Sequence, residues 1–163
     1  MGGHPWFGKR VLVLGCGNVL FGDDGFGPEV AGRLVSEWDL PGDVAVLDAG
    51  TGAREILFDL ALGGPRPEKL VIVDAVLLPS RGPGEVFTLG VEELPAVKRD
   101  DFALHQAPSV DLLRELSERC GVRVTVVAAQ VTAVPDEVAP GLSVQMTDAV
   151  GRACRLVVRE ALG

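Results

Sequence analysis

The sequence predicts a single domain of the α/β layered class. Three observations carry that expectation. Short apolar runs alternate with segments of helical periodicity, in the order strand, helix, strand, helix, strand. The strongest run is continuous rather than alternating, as expected for a strand buried on both faces. The chain has 163 residues, of which 47% are apolar, enough for one sizeable core, and no repeat, low-complexity tract or linker divides it.

Residues 10–15 form the first such run, closing at Gly15, and a glycine-rich turn follows. Val30, Leu34, Val35 and Trp38 then recur at helical spacing, with Pro28 tolerated in the first turn. Residues 44–47 read as a second strand, and residues 53–62 as a helix with Ile56, Leu57 and Leu60 on one side. The glycine and proline cluster at 63–67 ends that helix, and residues 69–73 make a third strand. Residues 85–89, after a loop rich in proline and glycine, suit a shorter edge strand. A further helix carries Val110, Leu112, Leu113 and Leu116 toward the core, and residues 123–131 form the last strong strand. Ser143 can cap a final helix in which Met146, Ala149, Val150, Ala153 and Val157 share a face. Residues 1–9 read as a flexible leader, in which His4 has no assigned role, and residues 10–163 as the domain.

Composition excludes several functions. No apolar run approaches the ~18 residues of a membrane span, and the start lacks the apolar stretch of a signal peptide. The net charge is −8, and no basic cluster exceeds the pair Lys9 and Arg10, so nucleic acid is not an expected partner. The three cysteines are odd in number and form no C-x-x-C pair, which argues for reduced thiols in a cytoplasmic protein.

The turn after the first strand holds Gly15, Gly17 and Gly22, which invites a dinucleotide reading. The dinucleotide fingerprint needs a glycine three residues after Gly17, and Leu20 stands there. Asp23 and Asp24 would also set two anions where a pyrophosphate lies. One aspartate suffices for a turn or helix cap, leaving the other for a ligand at the carboxyl end of the strand, where open α/β sheets bind. Asp74 follows the third apolar run, and a carboxylate there serves either as a local backbone acceptor or as a second ligand. His105, one of two histidines, opens a helix either as a solvated end residue or as a third ligand. Two carboxylates and an imidazole suit a borderline divalent ion and leave positions open for outside ligands. No H-E-x-x-H, G-x-S-x-G or Cys–His protease pattern is present.

These residues carry a resemblance. Residues 15–27, Gly-Cys-Gly-Asn-Val-Leu-Phe-Gly-Asp-Asp-Gly-Phe-Gly, are similar to the opening motif of the hydrogenase maturation proteases. Residues 70–75, Leu-Val-Ile-Val-Asp-Ala, and the segment starting at His105 resemble its two later motifs, in the same order. Residues 48–51 look like the family's segment after the second strand. The wording around 21–29 and 105–113 is most like members paired with deazaflavin-reducing hydrogenases of methanogenic archaea.

The resemblance implies an α/β fold with a twisted, mostly parallel five-stranded sheet between helices. It implies an endopeptidase that removes the C-terminal extension of a [NiFe]-hydrogenase large-subunit precursor. Asp24, Asp74 and His105 would bind nickel already carried by that precursor, and members have Asp or Glu at the position of Asp24. Their tips are then expected in one accessible surface cleft. Asn18 is expected to brace the turn through its amide, and Asp48 to cap the next helix with Thr51. The alternative function is a checkpoint that binds nickel-loaded precursor without cutting it, because no separate nucleophile is visible.

Overall fold

Val11 to Leu14 have no solvent exposure, so the first strand is covered on both faces, as its unbroken apolar run requires. In the computed structural model, which describes residues 3–94 and 110–163, this strand (β1, Val11–Cys16) lies inside a five-stranded sheet. The other strands are β2 (Val44–Gly50), β3 (Lys69–Val76), β4 (Val86–Gly90) and β5 (Arg123–Gln130). Their spatial order is β2-β1-β3-β5-β4. All neighbours are parallel except β4, which pairs antiparallel to β5 as the edge strand the sequence predicts.

Helix α1 (Phe26–Glu37) packs on β1, β2 and β3 and touches the final helix, α4 (Val144–Leu162). Helices α2 (Ala53–Leu62) and α3 (Val110–Glu118) pack on each other. The sheet thus lies between helical layers, the expected architecture. The five residues assigned to the inner face of α4 are all buried, and the Ser143 hydroxyl accepts from the Met146 N–H at 3.4 Å. Helix α2 has the predicted bounds.

The structure differs from the sequence expectation in two places. Strands β2 and β3 run three residues beyond their predicted ends, so Asp48 and Asp74 lie within strands rather than after them. Unbroken pairing of β3 with β5, as far as Val76 opposite Gln130, extends β3. The segment expected as a leader also carries an anchor: Trp6 is only 4% exposed and joins the core, while the Lys9 N–H donates to the Trp6 carbonyl at 3.0 Å. His4 stacks on the Trp6 ring.

Candidate functional site

The order β2-β1-β3 makes the carboxyl ends of β1 and β3 the place where successive connections diverge to opposite sides, the usual ligand position of an open α/β sheet. The acids reach this place by different local routes. Beyond Cys16 the chain turns through Gly17, whose φ of 136° suits glycine. A Cβ at Gly17 would run into the Asp24 carbonyl, so the turn closes only without a side chain there. Gly22–Gly25 forms a 3-10 turn leading into α1 and packed against β3. This turn holds both Asp23 and Asp24 and buries them.

Asp24 is 3% exposed, and its Oδ2 accepts from the Asn18 N–H at 3.0 Å. Asn18 itself braces the turn as expected, its Oδ1 accepting from the Leu20 N–H at 3.0 Å. Asp74 is 4% exposed and its Oδ1 accepts from the Ala75 N–H at 2.9 Å. It sits one step past the Gly15–Val73 pair, level with Cys16 on β1. The expected accessible cleft is not what the structure shows: both carboxylates are almost fully buried, Asp24 in a 3-10 turn packed against β3 and Asp74 within β3 itself. His105 lies outside the described residues. Among the described residues, no group of three or more His, Cys, Asp or Glu side chains is placed to hold a metal ion.

The same acids act on the buried Cys16 thiol. Burial first, and then the charges of Asp74, Asp48 and Asp24, push its thiol well above the usual range. Its Sγ donates to the Leu14 carbonyl at 3.7 Å. A protonated, enclosed thiol is a packing group and a poor nucleophile.

Two expectations about neighbouring residues change. Asp48 does not cap α2. It lies in β2, where its Oδ1 accepts from the Gly50 N–H at 3.0 Å, across the bulge at which Cys16 pairs with Gly50 instead of Ala49. The α2 N-cap is Gly52, with no side-chain bond. Asp23 does not cap α1 either. Its Oδ1 accepts from the Ser143 N–H at 2.6 Å, at the start of α4. Nearby, the Gly22 N–H donates to the Ala139 carbonyl and the Ala139 N–H to the Leu20 carbonyl, both at 2.8 Å. Neutral bonds of this kind contribute about 1 kcal/mol each and one to a carboxylate about 1.5–3 kcal/mol, so together they fix the turn to residues 139–143, which lead into the last helix.

Sequence reasoning missed the close approach of α1. A Cβ on Gly27 would lie 2.5 Å from the Cys16 nitrogen and 2.5 Å from the Val73 oxygen. Gly27 therefore seats the helix against β1 and β3, beside both acids, the packing role a third fingerprint glycine would otherwise have. The glycine ten residues after Gly17 was the available signal. Around this region Val19, Leu20, Val138 and Val144 stand exposed.

Fold and site together define an α/β protein with two enclosed carboxylates at the carboxyl ends of adjacent parallel strands. Residues 28–160 match the family model described as hydrogenase maturation protease, and the chain belongs to that family. It is 36% identical over 154 residues to a Methanocaldococcus jannaschii protein named for the same family, covering 93% of this chain and 96% of that one. It is 34% identical over 159 residues to the coenzyme F420 hydrogenase subunit delta of Methanothermobacter thermautotrophicus, covering 94% and 96%, which agrees with the likeness to methanogen members. Among solved structures, the hydrogenase maturating endopeptidase HybD from E. coli superposes with a TM-score of 0.73 at 30% identity, covering 93% and 91%. The family is one of endopeptidases, and no helix among the described residues is long and apolar enough to cross a membrane.

Proposed function

We propose that this protein is the cytoplasmic endopeptidase that removes the C-terminal extension of a [NiFe]-hydrogenase large-subunit precursor once nickel is in place. Asp24, Asp74 and His105 read the nickel, which arrives as part of the substrate. One observation supports the reading: two motif carboxylates, fifty residues apart in sequence, stand at the carboxyl ends of adjacent parallel strands, Asp24 in the turn beyond β1 and Asp74 within β3. Two carboxylates supply hard oxygen donors, and an imidazole would move the set toward a borderline divalent ion such as nickel. Three protein donors leave coordination positions for the precursor's own ligands, so such a site is open to metal that comes with the substrate.

The chain's own part is placement. The Asn18 and Ala75 N–H groups orient the two carboxylates, and Gly27 holds α1 close enough to keep both strand ends together. The nickel in the precursor would supply Lewis acidity toward the peptide carbonyl or its attacking water. The exposed Val19, Leu20, Val138 and Val144 give the rim apolar surface suited to a protein substrate.

Mass spectrometry of nickel-loaded precursor before and after mixing tests the proposal. The large subunit should lose its C-terminal extension with the wild type and keep it with Asp24→Asn, in which the amide preserves shape but not charge. A stable complex with unchanged precursor mass would replace the peptidase with the checkpoint.

A further inference from the structure

The paired acids of the opening motif differ in what they touch, and one of them has no part in the reading above. Asp23 is 8% exposed, and its Oδ1 accepts from the Ser143 N–H across 120 positions of sequence. Ser143 is the N-cap of α4, a helix of 19 residues, and has an extended backbone with φ −63° and ψ 166°. The Asp23 carboxylate therefore sits at the positive end of the longest helix among the described residues, where an anion is favoured. Two backbone bonds between Leu20–Gly22 and Ala139 run beside it. Asp24, the next residue, directs its Oδ2 to the Asn18 N–H on the opposite limb of the same turn.

We propose that Asp23 is a positioning residue: by accepting from the Ser143 N–H it ties the β1–α1 turn to α4 and so fixes where Asp24 stands. This rests on the endopeptidase reading for its catalytic consequence, while the tie itself is a property of the fold. The role needs an acceptor oxygen at residue 23 and a donor N–H at residue 143. It does not need a second negative charge at the site. That separates it from a role for Asp23 as a further metal ligand, which would need the charge.

The variants are Asp23→Asn, Asp23→Ala, Ser143→Ala and Ser143→Pro. Asn keeps an acceptor of the same shape, whereas Ala removes it. Ser143→Ala loses the capping hydroxyl but keeps the N–H. Ser143→Pro loses both, at a φ proline adopts readily, so the difference between the two Ser143 variants isolates the donor. Each is assayed for cleavage of nickel-loaded precursor and for amide exchange at Gly22 and Ala139, with thermal melts to confirm folding.

Asp23→Ala and Ser143→Pro should each lower cleavage on the order of 10- to 100-fold, as a misplaced reacting group does, and speed exchange at both amides. Asp23→Asn should stay within about threefold of wild type, and Ser143→Ala should lose less than Ser143→Pro. The double variant Asp23→Ala/Ser143→Pro should be no worse than either single one, the signature of a shared contact. Loss in Asp23→Asn equal to that in Asp24→Asn would overturn the proposal in favour of a charge role. Unchanged exchange in Asp23→Ala would overturn the tie itself. A wild type that never cleaves refutes the endopeptidase reading alone, because the exchange comparison still decides the tie.

Discussion

Replacing Gly27 by alanine puts a methyl group into the tightest helix–strand approach next to the acids. The added Cβ would meet the Cys16 carbonyl oxygen, the Cys16 nitrogen at 2.5 Å and the Val73 oxygen at 2.5 Å, all of them backbone atoms. A flexible side chain could turn aside, but two central strands cannot. Overpacking usually costs about 1–3 kcal/mol, and rigid neighbours set this case at the upper end. Alanine recovers up to about 1 kcal/mol of helix propensity, so the net loss is about 2 kcal/mol. For 163 residues at about 2.1 cal/mol/K each, that corresponds to a fall in Tm of about 6 °C. Gly32 is the internal control, since it lies in the same helix and a Cβ there meets nothing within 4 Å. Gly32→Ala should raise Tm by about 1–3 °C through propensity and chain entropy. Thermal melts of the two variants give the comparison, and precursor cleavage well below the melting temperature should fall only in Gly27→Ala. Melting temperatures within a degree of each other would refute the packing argument.

Other outcomes can be measured separately. Thiol labelling of the native protein should modify Cys120 first and reach the buried Cys16 and Cys154 only on unfolding, whereas rapid native labelling of Cys16 would contradict its enclosure. Burial, then Asp74, Asp48 and Asp24, raise the folded Cys16 pKa above its unfolded value, so its contribution to stability is full below about pH 8.5 and is lost as pH rises toward the folded value. Urea midpoints from pH 8 to pH 10.5 should therefore fall less steeply in Cys16→Ala than in wild type, and equal slopes would count against the shift. His105→Ala should abolish processing while moving stability by under about 0.5 kcal/mol, read by cleavage beside a melt, and full activity would remove the imidazole from the proposed nickel set.

Much of the fold was legible because its signals are local. The unbroken apolar run of β1, the Gly and Pro stop after α2 and the Ser143 cap of α4 each report on neighbours in sequence. What could not be read was pairing. Asp74 belongs to β3 because β5 runs alongside as far as Val76, and no local pattern records that register. Asp48 looked like a cap because aspartate favours helix starts, yet a bulge opposite β1 gave its carboxylate a nearer donor in Gly50. Asp23 and Asp24 are chemically identical in the sequence, and their different partners, Ser143 120 positions away for one and Asn18 on the near limb of the turn for the other, appear only in the fold. The burial of Asp24 and Asp74 was not legible, because it depends on the long-range packing of the 3-10 turn and β3 rather than on any local pattern.

The most direct test of the central claim is cleavage of purified large-subunit precursor, nickel-loaded against nickel-free, followed by mass spectrometry under otherwise identical conditions. Loss of the C-terminal extension is expected from the nickel-loaded form alone. Equal cleavage of both forms would contradict the claim that Asp24, Asp74 and His105 read nickel carried by the substrate.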